Sequence, residues 1–207
     1  MTDKLKWSIV MSDIETKEVK NIIVESAAIF FSKYGFYKTT MDDIARHIHK
    51  AKGAIYYYFK SKEELFNEVL KLELSTVKTE LKHVVDHNIN PLTALKEYIL
   101  TRLELLNKSL NYHETLKADF FDKYKFVKDV RNDFHLFERN QITFILEKGM
   151  KEGYLDVTNV NSTVDVIMMI TNSIEIPLFL QNKYKDYENT INELISLIIN
   201  SLSNNKK

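Results

Sequence analysis

Residues 39–65 read TTMDDIARHIHKAKGAIYYYFKSKEEL, and their punctuation predicts three helix starts within 27 residues. Thr40 stands before Met41-Asp42-Asp43-Ile44, with Asp43 three residues on, an acidic variant of the capping box that opens a helix. That helix is short and ends near Ile48. Three or four connecting residues follow, then a second short helix from Lys52 to Tyr58, which Lys60-Ser61 breaks. Ser61 with Glu64 forms another capping box. It opens a long helix marked by Leu65, Val69, Leu72 and Thr76 and running to about His87.

Outward from this stretch the helical period continues. On the N-terminal side Val19, Ile23, Ala27, Phe30, Phe31 and Tyr34 recur at spacings of three and four, one face of a helix. Gly35 stands where a glycine closes a helix in the left-handed conformation. Residues 1–15 read as an N-terminal arm, and Met11 is an alternative start to Met1. On the C-terminal side Asn88-Ile89-Asn90-Pro91 is the clearest loop. Leu92, Leu95, Ile99, Leu103 and Leu106 then mark an amphipathic helix. An aromatic segment from Tyr112 to Phe126 follows. The next long helix carries Val127, Val130, Phe134, Phe137, Gln141, Phe144 and Met150, and ends in Lys151-Glu152-Gly153. Two further helices, Val160–Asn182 and Tyr187–Leu202, are apolar over more than one stripe, so each either sits in the core or pairs with a second subunit. The expectation is an all-α chain of about nine helices.

Composition agrees. Hydrophobic residues make up 44% of 207, with only 4 Gly and 2 Pro, too few turn residues for an all-β fold. With no cysteine, disulfides, a cysteine nucleophile and thiolate metal sites are excluded. Lys4, Lys6 and Trp7 leave no apolar signal-peptide core near the start, and Asp165, Asn172, Glu175 and Pro177 interrupt the most apolar stretch, so we expect a cytoplasmic chain without a membrane partner.

The net charge is zero, but between Lys33 and Lys62 seven basic residues face only Asp42 and Asp43, a local +5. Three short helices followed by a long one, with that basic cluster on the second and third, is a helix-turn-helix layout. Major-groove readout needs small or polar side chains at the exposed start of a helix, and Lys52, Gly53 and Ala54 supply them. A glycine inside a short helix costs about 1 kcal/mol against alanine, and close approach to DNA would account for Gly53. Tyr56, Tyr57 and Tyr58 place hydroxyls around the helix, whereas Ile55 and Phe59 read as core. Lys38 and Lys50 are further phosphate candidates.

Taken together, Ala27-Ala28-Ile29-Phe30-Phe31, Tyr34-Gly35-Phe36, Thr39-Thr40, Asp43-Ile44-Ala45, Lys52-Gly53-Ala54-Ile55-Tyr56-Tyr57-Tyr58-Phe59 and Ser61-Lys62-Glu63-Glu64-Leu65 resemble the DNA-binding domain of the tetracycline-repressor (TetR/AcrR) family. The resemblance covers about Thr16 to Leu70. It implies an N-terminal arm (1–15), a helix-turn-helix domain (16–62, with the motif at about 40–59) and a C-terminal ligand-binding and dimerisation domain (63–207). It also implies double-stranded operator DNA, a small-molecule effector and a homodimer as partners, with no cofactor, no metal and no catalytic residue. The DNA-contacting set it implies is Thr40, Lys50, Lys52, Gly53, Ala54, Tyr56, Tyr57, Tyr58 and Lys62, with Thr40 and Lys62 on phosphates at helix N-termini. The turn departs from the family's Gly-Val-Ser. His49 must adopt a left-handed backbone, Lys50 must point away from the inward position of a small apolar residue, and Ala51 forfeits an N-cap hydroxyl.

For the larger domain the resemblance implies a ligand cavity within helices five to seven. Its candidate lining is Tyr98, Arg102, His113, Phe120, Phe121, Tyr124, Phe134, Phe137, Asn140, Gln141, Phe144, Met168, Asn172 and Glu175. Glu175 is the sharpest of these, because a carboxylate on the most apolar helix needs a partner. Val164, Ile167, Met168, Thr171, Ile174 and Leu178 form one candidate dimer stripe, and Ile191, Leu194, Ile195, Ile198 and Leu202 another. Both equally suit a monomer core. Two rival functions remain. An enzyme lacks support, since no nucleophile elbow, phosphate loop, dinucleotide fingerprint or HExxH occurs. An adaptor that kept the fold and lost DNA binding would explain the unusual turn.

Overall fold

The computed structural model describes residues 2–204, with side chains from residue 16 onward. Among the described residues there are ten α-helices: α1 (Thr2–Tyr34), α2 (Met41–His47), α3 (Lys52–Tyr58), α4 (Lys62–His87), α5 (Pro91–Lys108), α6 (Leu110–Glu114), α7 (Ala118–Lys123), α8 (Lys125–Lys151), α9 (Val160–Ser173) and α10 (Glu188–Leu202). A π-helical turn, Ile176–Leu180, follows α9. No strand occurs among the described residues, only an isolated bridge between Leu155 and Ser203. The all-α expectation holds. The count exceeds nine because the aromatic segment from Tyr112 folds as two short helices. Helix α1 begins at Thr2 rather than Thr16, and the side chains of the expected arm, residues 1–15, lie outside the described residues.

The chain divides into two compact units, Met1–Leu72 and Glu73–Lys207. The expected boundary at residues 62 and 63 marks the start of α4, but the first turns of that helix belong to the first unit. Leu65, Phe66, Val69 and Leu70 are fully buried there with Ile23, Ala27 and Phe31 of α1. The Phe66 ring meets Phe31 and Phe36 edge-on at 4.9 and 5.0 Å, a favourable aromatic arrangement. Gly35, at φ 78°, closes α1 by donating its N–H to Phe31 O at 2.8 Å. The next stop is Thr39, whose buried hydroxyl donates to Gly35 O and Phe30 O.

In the second unit α5 packs on α8 and α10, and α8 on α7 and α9. Asn90 caps α5 by accepting from Leu92 N and Thr93 N, with Pro91 at the first helical position, where its missing N–H costs nothing. Asn159 caps α9 through Ser162 N. Gly149 of α8 has no room for a side chain: a Cβ there would lie 2.4 Å from Leu155 Cδ1 and 3.1 Å from Pro91 Cβ. Val160–Leu180 is long and apolar enough to cross a membrane by length and composition. Its Val164, Ile167, Leu178 and Phe179 are nevertheless buried in this unit, and its Glu175 is ion-paired with Arg102 of α5. One face of this segment therefore packs in the unit's core and the other is exposed. Pro177 has no N–H to continue the α ladder, and the chain widens there, Gln181 N bonding to Ile176 O five residues back.

Candidate functional site

The first unit presents a helix-turn-helix. Thr40 Oγ1 accepts from Asp43 N at 3.2 Å while Asp43 Oδ2 accepts from Thr40 N at 3.1 Å, so the acidic capping box of α2 is closed. The turn forms despite its composition. His49 takes φ 53°, Lys50 is exposed and its N–H bonds Ala45 O at 3.0 Å, and Ala51 occupies the N-cap of α3 with no side-chain cap. The cost is an uncapped recognition helix, and the geometry is retained.

Helix α3 is anchored by Ile55, with Phe59 just beyond its end, both fully buried. Opposite them it exposes Lys52, Gly53, Tyr56 and Tyr57, the last at 80%. A Cβ on Gly53 would meet nothing within 4 Å, so no contact inside the described chain requires glycine there. Ala54 and Tyr58 are half-buried. Lys52 Nζ lies 2.9 Å from Asp42 Oδ2, and this hydrogen bond raises its pKa. Lys62, expected on a phosphate, is turned inward instead: its Nζ donates to Phe36 O at 2.8 Å and Thr39 O at 3.1 Å and sits 4.4 Å from the Phe36 ring centroid. It braces the α1–α2 connection.

The second unit holds a buried ionic network that the sequence revealed only in part. Arg102 of α5 is fully buried. Its guanidinium donates to Glu138 of α8, to Asn172 Oδ1 at 2.8 Å and to Glu175 Oε1 at 2.6 Å. Tyr112 donates its hydroxyl to Glu175 Oε2 at 3.0 Å, and Arg131 Nη2 lies 3.6 Å from the same oxygen. Two cations thus balance two anions, the condition for keeping charges out of water. Burial pushes the Glu138 carboxyl upward and the two glutamates hold the Arg102 cation; burial and Glu175 raise the Tyr112 phenol. Arg102 Nη1 and the hydroxyl of the neighbouring fully buried Tyr98 have no hydrogen-bond partner. Glu138, Arg131 and His135 were absent from the expected lining. The signal for Glu138 was its place between Phe134 and Ile142, on the apolar stripe of α8.

The other expected lining residues fall into three groups. Phe120 and Phe134 are core, and Phe120 packs on the Tyr124 ring at 4.7 Å. His113 bonds Leu106 O and stacks on Phe179, and burial lowers its pKa. Phe137 lies under Lys78 at 5.6 Å. Phe144 does not belong inside: it is 53% exposed, on the solvent face of α8. Asn140 is exposed and Gln141 half-buried. Phe121 is different. With Thr115, Leu116, Ala118, Arg131, Asn132 and His135 it lines a cleft of about 250 Å³ between α7 and α8.

The candidate dimer stripes are out of phase with the surface. Val164, Ile167, Met168, Thr171, Leu178, Ile191 and Ile195 are buried within the chain, so they pack the monomer core. Ile174, Leu194, Ile198 and Leu202 are half-buried. The apolar face left outside is Val166, Met169 (71% exposed), Ile176 and Leu197, beside a groove between α9 and α10.

Comparison with known proteins places these features in a family. The model of the bacterial regulatory proteins of the tetR family matches residues 23–69, the span from the buried face of α1 to the first turns of α4. The chain is 27% identical over 155 residues to the HTH-type transcriptional regulator YhgD of Bacillus subtilis, covering 73% of this chain and 79% of that one. It is 26% identical to the HTH-type transcriptional repressor KstR2 of Mycobacterium tuberculosis, covering 64% and 66%. Its fold is similar to that of the regulator FadR from Bacillus subtilis, solved in complex with stearoyl-CoA, with TM-score 0.69, 18% identity and coverage of 86% and 96%. The α2–α3 geometry and these matches agree: residues 23–69 form a helix-turn-helix domain of the type found in the tetR family of bacterial regulatory proteins, and the chain is similar over most of its length to HTH-type regulators of transcription.

Proposed function

We propose that the chain is a homodimeric, cytoplasmic repressor that holds operator DNA with α3 and releases it when a small molecule binds the second unit. The observation that carries this reading is α3 itself. Its inner face is locked by Ile55, and its outer face offers Gly53, Lys52, Tyr56 and Tyr57 with no internal task for the glycine. Thr40 and Lys50 are exposed at the adjoining helix ends and supply phosphate contacts, with Ala54 and Tyr58 at the margins. Two such helices in a symmetric dimer, about 34–36 Å apart, meet successive major grooves. The exposed Val166, Met169, Ile176 and Leu197 form the subunit contact. The effector acts through its different affinity for the DNA-holding and released states. This reading involves no catalysis, metal or cofactor.

The test is retention of a randomised duplex library and of the DNA upstream of the gene, across a salt series. Sequence enrichment with a steep salt dependence, lost in Tyr57→Ala, is expected. No enriched sequence, and equal retention by Tyr57→Ala, would leave the adaptor reading in place.

A further inference from the structure

The cleft between α7 and α8 combines two features that ordinary packing does not explain. The first is a cation with few protein partners. Arg131 makes one long hydrogen bond, to Thr115 O at 3.3 Å, and stands 3.6 Å from Glu175 Oε2. A guanidinium carries five N–H donors, so most of this one is uncommitted. Its Cζ lies 5.7 Å from the Tyr112 ring centroid and 5.5 Å from that of Phe121, so two cation–π contacts hold the guanidinium at the cleft. The second is a stranded ring nitrogen: His135 Nε2, one helical turn along α8 from Arg131, is buried without a hydrogen-bond partner. Burial, and then the charge of Arg131, lower the His135 pKa, so at neutral pH the ring is uncharged. Leu116, Ala118 and Phe121 make one side of the wall apolar, and Thr115 and Asn132 complete the lining.

We propose that this cleft takes the carboxylate of a small organic acid, its oxygens held by the Arg131 guanidinium and the His135 ring nitrogen and its apolar body laid against Leu116, Ala118 and Phe121. The inference rests on the effector-released reading above and names the chemical class of the effector. A planar two-pronged anion matches a planar fork. The pairing of Arg131 with Glu175 is long, at 3.6 Å, so its guanidinium can turn its remaining N–H donors to a carboxylate in the cleft. At about 250 Å³ the space lies below the roughly 300–1,000 Å³ of drug-sized pockets, which fits a short-chain or single-ring acid. Occupancy is also reported inward. An anion that draws Arg131 into the cleft loosens its hold on Glu175 Oε2, and the remaining partners of Glu175 are Tyr112 of α6 and Arg102 of α5.

Calorimetric titration of the full chain tests this with straight-chain acids from butyrate to decanoate and with benzoate, each beside its neutral primary amide. At least one acid is expected to bind about tenfold or more tightly than its amide, the scale of one hydrogen bond to a charged group. Arg131→Gln should erase that preference. Ala118→Trp, an exposed position that leaves the ionic network intact, should block both ligands while the melting temperature is held. Absence of any acid-over-amide preference overturns the proposal, as does its persistence in both variants. DNA retention by the same preparation separates the two readings. Retention without acid preference removes only the effector assignment, and acid preference without retention removes only the DNA reading.

Discussion

Arg102→Met is the most informative single change in the second unit. Methionine keeps most of the side-chain length and removes the guanidinium. Glu138 and Glu175, whose side chains are 2% and 1% exposed, then face each other in the interior. Arg131 remains 3.6 Å from Glu175, so the uncompensated charge falls on Glu138. Breaking a buried ion pair on one side costs about 3–5 kcal/mol. For a chain of this size that corresponds to a fall in melting temperature of roughly 6–20 °C, read by calorimetry at fixed protein concentration. The sign with pH is set by Glu138. Its folded carboxyl titrates above the unfolded value because of burial, so protonation favours the fold, and acidification from pH 7 towards 5 should restore part of the loss. Arg102→Met/Glu138→Leu removes one cation and one anion together and leaves Arg131 with Glu175. It should lie within about 2 kcal/mol of the parent, since apolar replacement of a buried pair is close to neutral or stabilising. If the double variant is as unstable as the single one, the network acts through shape and the charge argument is wrong.

Three further outcomes are expected. Burial raises the Glu73 carboxyl to about 6, against the opposing hydrogen bonds from Tyr112 N and Asn111. Its contribution therefore favours the fold below about 4.5 and is lost as pH rises through about 6, so Glu73→Gln should flatten that dependence and stabilise the chain at pH 7 by up to about 2 kcal/mol, measured by urea denaturation at pH 5 and 7. Ala51→Ser supplies the missing cap of α3, worth about 1 kcal/mol, and His49→Gly relieves a left-handed residue by up to about 1–2 kcal/mol; both should raise the melting temperature. Met169→Asp places a charge on the exposed apolar face of α9 and should turn a dimer into a monomer in sedimentation velocity, with the helical circular-dichroism signal unchanged.

What could be read from the sequence follows the range of the forces involved. The capping of α2, the stop at Gly35, the left-handed His49 and the bare N-cap at Ala51 are set by residues within four positions of each other, and the sequence displays them. Lys62 was misdirected because its long side chain can reach in several directions, and the choice was made by carbonyls 23 and 26 residues earlier. Glu138 was passed over for a similar reason, its partner Arg102 lying 36 residues away. On α9 the apolar residues cover more than one stripe, so periodicity could not decide whether Val164 and Ile167 or Val166 and Met169 faced the core. Only the neighbouring helices settle that phase.

The close approach at Gly149 makes sequence drift at that position path-dependent. With Leu155 in place, Gly149→Ala forces a buried side chain to move and presses on Pro91, which opposes the roughly 1 kcal/mol by which alanine is the better helix former. Shrinking Leu155 first opens the space but leaves a cavity, a loss of about 2–5 kcal/mol for Leu→Ala. The gain at 149 is too small to have drawn the chain across that intermediate. The two positions are therefore energetically coupled, and a larger residue at 149 is accommodated at least cost once the side chain at 155 has yielded.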